Sequence, residues 1–138
     1  LEMIDLDATV ADVVALVRPA FELRELELRH RPAEVLLPVR ADRATLGRAL
    51  AQLLTSLRAL LAPGGVCSLH GEIQGDEIWI ELRLSGTKPA KDDSKRDDWF
   101  ASGMSLWVAR RILAEHGGRL KEPDGSPGST YMLALPKA

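Results

Sequence analysis

The chain has 138 residues, 46% of them hydrophobic and 28% charged, with a formal net charge of −2. That length gives one domain with a real core, and the near-neutral balance offers nothing to draw nucleic acid or an anionic membrane. A single cysteine, Cys67, excludes an internal disulfide and fits a reducing, cytoplasmic setting. No apolar run approaches the roughly 20 residues of a membrane span, and no secretory leader is visible. The Leu1-Glu2 pair ahead of Met3 reads as a cloning remnant, so the chain is expected to be a piece of a larger protein.

Met3 to Leu6 reads as a short strand. Asp7 is placed as the N-cap of a first helix, with Val10, Val13, Val14, Val17 and Phe21 at helical spacing. Glu25 to Arg29 alternates charged residues with Leu26 and Leu28, as an edge or half-buried strand does. Val35 to Val39 is a second short strand, limited in pairing by Pro38. Asp42 caps a long helix whose stripe is Leu46, Leu50, Leu53, Leu57 and Leu60, widened by Leu54 and Leu61 and stopped by Pro63-Gly64-Gly65. Val66 to Ile73 and Ile78 to Leu84 form a hairpin around Gln74-Gly75-Asp76. In its second strand Trp79 and Glu81 alternate with Ile80 and Leu82, predicting a sheet with one covered and one wet face.

The run from Lys88 to Asp98 is charge-dense and nearly devoid of apolar residues, so it is expected to be a mobile loop, anchored by Trp99-Phe100. A helix from Ser105 to Glu115 follows, with Val108, Ile112 and Leu113 inward. Arg119–Lys121 and Thr130–Leu135 close the domain across a tight loop of residues 123–128. Runs of adjacent strands imply antiparallel pairing, and each helix has one stripe to bury. The fold class is therefore an α/β (α+β) two-layer sandwich: a mixed, mostly antiparallel sheet with three main helices on one face.

One stretch carries a chemical signal. Gly103 stands at a turn that feeds backbone N–H groups into a helix start, an arrangement suited to anions. Ser105, however, adds a Cβ where a phosphate-cradling loop wants glycine. Neither a catalytic Ser-His-Asp set, a zinc-spaced Cys/His set nor a Walker-type loop is present.

The order of elements and three motif groups resemble the catalytic, ATP-binding domain of sensor histidine kinases, of the GHKL ATPase superfamily. Val39-Arg40-Ala41-Asp42 leading into Gln52-Leu53-Leu54-Thr55-Ser56-Leu57 is similar to that family's aspartate-led helix with its Asn-Leu-Leu-x-Asn-Ala box. Gly103-Met104-Ser105-Leu106 resembles its Gly-Leu-Gly-Leu. His116-Gly117-Gly118 and Gly128-Ser129-Thr130-Tyr131 resemble its His-Gly-Gly and Gly-Ser-Thr-Phe signatures. The likeness spans essentially residues 1–138, with a lid over about 86–102.

The resemblance implies a nucleotide site at Gln52, Ser56, Leu84, Gly86, Gly103, Ser105, Leu106 and Thr130, and at several of these positions the chain departs from the family. Ser56 stands where an asparagine coordinates Mg²⁺, Gln52 replaces an earlier asparagine, and Ala59 and Leu60 replace a basic residue and an aromatic. Ser56 is a substitute Mg²⁺ ligand or a small polar filler of a lost site. In the family's Asp-x-Gly-x-Gly the aspartate accepts from the adenine amino group; here the run is Leu84-Ser85-Gly86-Thr87-Lys88. An unpaired buried donor costs about 1–3 kcal/mol, roughly ten- to a hundredfold in affinity.

The expectation is a degenerate catalytic domain with weak or no ATP binding, no catalytic residues of its own and no resident cofactor, acting as a docking or regulatory module. Its partners would be a dimerisation and phosphoacceptor helical domain and a response regulator. Two alternatives stay open: an active kinase domain using Mg-ATP to phosphorylate a histidine on a separate dimerisation domain, and the kinase-like half of a histidine phosphotransferase. His116 is read as structural, at a helix C-terminus where a partly charged imidazole suits the dipole. His30 follows a strand, unlike a phosphoacceptor on a helical hairpin; His70 is read as merely exposed, and Cys67 as a small buried hydrophobe.

Overall fold

The computed structural model describes residues 1–88, 96–123 and 130–138, with the backbone alone over 96–105. The elements are β1 (Glu2–Asp5), α1 (Leu6–Glu22), β2 (Glu27–Arg31), β3 (Pro38–Ala41), α2 (Arg43–Arg58), β4 (Leu61–Gln74), β5 (Glu77–Thr87), α3 (Arg96–Glu115), β6 (Arg119–Lys121) and β7 (Thr130–Pro136). Five strands form one sheet in the order β2-β4-β5-β7-β6, while β1 and β3 pair by themselves. The β2–β4 ladder is parallel and every other ladder antiparallel. The parallel pair follows from connectivity, because the chain crosses over through β3 and α2 between those strands.

Period-two patterning decides which sheet face is covered. On β5, Ile78, Ile80, Leu82 and Leu84 are buried, whereas Trp79 and Glu81 are half-buried and Arg83 is exposed. The buried set meets Val10, Val14 and Phe21 of α1, Leu50, Leu53 and Leu57 of α2 and Ala109 and Leu113 of α3 in one core cluster. Each fully buried Leu, Ile or Phe stabilises by about 1.5–3 kcal/mol. Three helices thus lie over one face of a mostly antiparallel mixed sheet, as the sequence predicts. Among the described residues no helix is long and apolar enough to cross a membrane.

Several local expectations need correction. The N-cap of α1 is Asp5, not Asp7: its Oδ1 accepts from the Asp7 N–H at 3.2 Å and from the Leu37 N–H at 3.0 Å. Asp7 is used elsewhere, its Oδ1 3.0 Å from His30 Nε2 and its Oδ2 accepting from the Ala33 N–H at 3.1 Å. The second short strand starts at Pro38 rather than Val35, because Leu37 turns into the core and is fully buried.

Pro63-Gly64-Gly65 does not stop α2, which ends at Arg58 with Ala59 as C-cap; those residues lie in an irregular part of β4 between Leu61 and Val66. There Gly65 and Gly86 let two strands touch: a Cβ on Gly86 (φ 77°) would stand 2.9 Å from Gly65 Cα. Finally, α3 begins at Arg96, so Gly103 lies inside a helix rather than at its opening turn. No proline stands between Arg96 and Gly103, and a lone helical glycine costs only about 1 kcal/mol. The expected loop over Lys88–Asp98 falls largely on residues 89–95, outside the described residues, as does most of the 123–128 loop.

Candidate functional site

Local structure sets the frame of the site. The Asp42 side chain caps α2, accepting from Ala44 N–H at 3.1 Å and Thr45 N–H at 3.5 Å. Hydrogen bonding from Thr45 holds the Asp42 carboxyl below its ordinary range. The same residue's N–H donates to His116 Nε2 at 3.3 Å, and His116 Nδ1 stands 2.8 Å from the Ile112 carbonyl. A nitrogen facing an N–H must offer a lone pair, and one facing a carbonyl must carry the proton. His116 therefore bridges the end of α3 to the start of α2. This contact ties the C-terminal end of α3 to the N-terminal end of α2, and the two helices pack against each other.

Backbone contacts place the remaining elements. Leu61 pairs with Thr87 and the Lys88 N–H donates to the Leu60 carbonyl at 2.8 Å, joining the end of β5 to the end of α2. Thr130, at the start of β7, pairs with Arg83 of β5. Gln52 and Ser56 sit one turn apart on α2, and Leu106 is half-buried on α3 against the core. Leu84 and Gly86 close the end of β5. Of the sequence-predicted positions, Leu84, Gly86 and Thr130 lie at the same end of the β5–β7 ladder, Gln52 and Ser56 lie on α2, and Leu106 lies on α3. Gly103 and Ser105 lie on α3 with only their backbone described, and of the lid over 86–102, residues 89–95 lie outside the described residues.

The chemistry offered there is sparse. Ser56 is 2% exposed and its hydroxyl donates to the Gln52 carbonyl at 3.0 Å, the back-bond typical of serine within a helix. Leu84 is 1% exposed, belongs to the core cluster and is paired across the ladder with Cys67. Burial pushes the Cys67 thiol up to about 12, so it remains a protonated apolar filler. Among the described residues no group of three or more His, Cys, Asp or Glu side chains is placed to hold a metal ion. No buried polar side-chain atom there lacks a hydrogen-bond partner. A groove of about 680 Å³ lies elsewhere, along the β2 edge between Arg18 and Arg31.

Several structural contacts were not legible in the sequence. His30 is held by Asp7, and His70 Nδ1 stands 3.3 Å from the Arg31 carbonyl, so neither ring is idle. On the open sheet face Arg119 forms a two-point ion pair with Glu77 and lies 5.5 Å over the Trp79 ring. Only alternation on β5 hinted at that cluster.

The three-helix layer on a mixed five-stranded sheet defines the fold of the histidine-kinase catalytic domain. The catalytic domain of the histidine kinase ThkA, in a nucleotide-free form, superposes with a TM-score of 0.79 at 19% identity, covering 99% of this chain and 96% of that one. ThkA in complex with the response regulator TrrA superposes with a TM-score of 0.73 at 18% identity, over 99% of this chain and 42% of that one. In sequence, the sensor-like histidine kinase SenX3 of Mycobacterium tuberculosis is 26% identical over 147 aligned positions, which take in 96% of this chain and 36% of that protein. The chain thus spans little more than a third of the length of that relative. No family model matches it. The chain thus has the fold of the histidine-kinase catalytic domain and is similar in sequence, over most of its length, to sensor histidine kinases.

Proposed function

We propose that this domain is a degenerate histidine-kinase catalytic domain, with weak or no ATP binding, that serves as a docking or regulatory module in two-component signalling. The observation that carries the reading is Leu84. At the position where the family's aspartate accepts from adenine, this chain has a side chain that is 1% exposed and packed into the core. Hydrocarbon there leaves a purine amino group unpaired, at a cost of about 1–3 kcal/mol.

The donor set points the same way for Mg²⁺. A hard divalent cation wants several well-placed oxygens, usually including carboxylates or amide carbonyls. The only side-chain oxygen at the expected ligand position is that of Ser56, which is buried and bonded to its own helix. The residues present do not suit the ion. Retention of the whole scaffold favours the docking role, because a module that has lost its ligand still needs its shape to meet a partner. ThkA's complex with a response regulator supports that kind of partner, alongside a helical phosphoacceptor domain.

Thermal unfolding with and without Mg-ATP tests the reading. A ligand present at about 100 times its dissociation constant stabilises by about 2.7 kcal/mol. The expected result is an unchanged midpoint up to millimolar nucleotide. A clear rise, reproduced by calorimetric titration, would establish the active-kinase reading in its place.

A further inference from the structure

The main sheet ends at β2, which is paired on one side only. Which of its backbone groups point off the sheet follows from the hairpin. The two-residue turn at Gly75-Asp76 makes Gln74 and Glu77 a hydrogen-bonded pair. Between Val66 and Gln74, even-numbered residues of β4 therefore turn their backbone groups to β5 and odd-numbered ones turn theirs to β2. With Leu28 opposite Cys67 in the parallel ladder, Glu27, Arg29 and Arg31 bond to β4. Leu28 and His30 point outward, into the groove along this edge.

One of the outward groups is held. Arg18 reaches across from α1, its Nη2 3.2 Å and its Nε 3.4 Å from the Leu28 carbonyl. Among the described residues no hydrogen bond reaches the Leu28 N–H or the His30 N–H and C=O. Such a row of donors and acceptors is a template for another strand. A helix cannot fill it, because a helix uses its backbone groups internally.

The ends of the row fix the register for a second copy of β2 running antiparallel. A pairing centred on Leu28 needs the Leu26 N–H, which already donates to the Phe21 carbonyl at 3.0 Å. A pairing centred on His30 needs an N–H that Pro32 lacks. Centred on Arg29, Leu28 of each strand faces His30 of the other, and every outward donor finds a carbonyl.

Side chains agree with that register. On the open sheet face, Glu27 then meets Arg31 of the second copy at both ends, and Arg29 meets Arg29. The central pair is not a bare repulsion, because each Arg29 already makes a two-point bond to Glu27 of its own strand, at 2.7 and 2.8 Å. Both signs of charge line the edge, so charge alone selects no partner. Their order, acid first and base last, matches a copy run in reverse.

We infer that β2 is a self-pairing edge bolted by Arg18: the guanidinium holds the carbonyl that the second copy's His30 N–H must reach, and its withdrawal lets two domains join into one continuous sheet through antiparallel β2 strands. Glu22, one turn further along α1 and lining the same groove, offers the freed guanidinium a carboxylate. The inference goes beyond the proposed function and is independent of the nucleotide site.

The test uses the 138-residue chain. Arg18→Met keeps the stem of the side chain and removes its donors. In sedimentation equilibrium this variant should dimerise at least about tenfold more tightly than wild type, the worth of a hydrogen bond to a charged group. Amide exchange at Leu28 and His30 should slow as its concentration rises. Arg31→Glu added to Arg18→Met should undo the gain by setting acid against acid, and Glu27→Arg added to both should restore it. Arg29→Cys with Arg18→Met should give a disulfide-linked dimer on oxidation, because a non-hydrogen-bonded antiparallel pair brings its Cα atoms to about 4.5 Å. Arg31→Cys with Arg18→Met should not.

An Arg18→Met variant that stays monomeric at millimolar concentration overturns the inference. So does association indifferent to Arg31→Glu, or a dimer that leaves the Leu28 and His30 amides unprotected. Protection of those amides in a monomeric variant by an uncharged valine-rich peptide would give the edge to a foreign strand and overturn the self-pairing. If Arg18→Met does not fold, Arg29→Cys with Arg18 in place decides. Cross-linking that rises with concentration and is absent from Arg31→Cys supports the pairing, and no cross-linking overturns it.

Discussion

Replacing Leu84 by Asp restores the family's acceptor, and the cost of doing so reports whether position 84 is core or pocket. Leu84 is 1% exposed and belongs to the same cluster as Leu57, Leu61 and Cys67. Truncating a buried leucine costs about 2–5 kcal/mol. An unpaired buried carboxylate adds several kcal/mol more unless it takes up a proton. The sum rivals the whole 5–15 kcal/mol that ordinarily holds a domain together. Burial raises the new carboxyl's pKa, so the charge penalty is in force above the folded value. It disappears below the unfolded value of about 3.9, where both states hold the proton. Urea unfolding followed by tryptophan fluorescence should therefore show the largest deficit near about pH 8 and a smaller one near about pH 4. A Leu84→Asp midpoint equal to wild type at the higher pH would mean that residue 84 faces water or an open pocket, and the case for a closed purine site would fail.

Further outcomes follow from the same geometry. Adding Ser56→Asn to Leu84→Asp should give a Mg-ATP-dependent rise in midpoint where wild type has none; if the double variant folds and still shows none, the lid or Ser105 is the larger obstacle. A Cβ on Gly118 would stand 2.4 Å from the Ala134 carbonyl and 3.3 Å from that of Leu113, so Gly118→Ala should cost more than about 2 kcal/mol in urea unfolding. Glu25 holds φ at 59° after α1, and Glu25→Gly should stabilise by up to about 1 kcal/mol, read from the same denaturant curves. The Asp42 carboxyl, lowered by its hydrogen bonds from Thr45, contributes stability above its unfolded pKa and loses it as pH falls through the lower folded value. Asp42→Asn keeps a good cap and should flatten the acid limb of stability against pH below about 4; an unchanged limb would show that the carboxylate is not what titrates.

Sequence by itself determined the elements whose cause is local. Alternation on β5 identified the covered and wet faces, the leucine stripe and Asp42 located α2, and the glycine between Gln74 and Asp76 placed the hairpin, since periods of two and 3.6 and cap chemistry act within a few residues. The motif order also pointed to the right fold. The cap of the first helix was misplaced from sequence, at Asp7 rather than Asp5, because distant partners settle it: Leu37 takes Asp5 while His30 and Ala33 take Asp7. The site divides in the same way. That Leu84 lacks a polar group is written in the chain, but that it is sealed into the core depends on β4 and the helices closing over it. His116 could be seen as a histidine near a helix end; its bond to the Asp42 N–H, across 74 positions, exists only once α3 lies along α2. Alternation around Leu26 and Leu28 allowed either an edge or a half-buried strand. That β2 is an edge with Arg18 across it was decided by the order of the sheet, because pairing is a property of strands brought together by folding rather than of residues in a row.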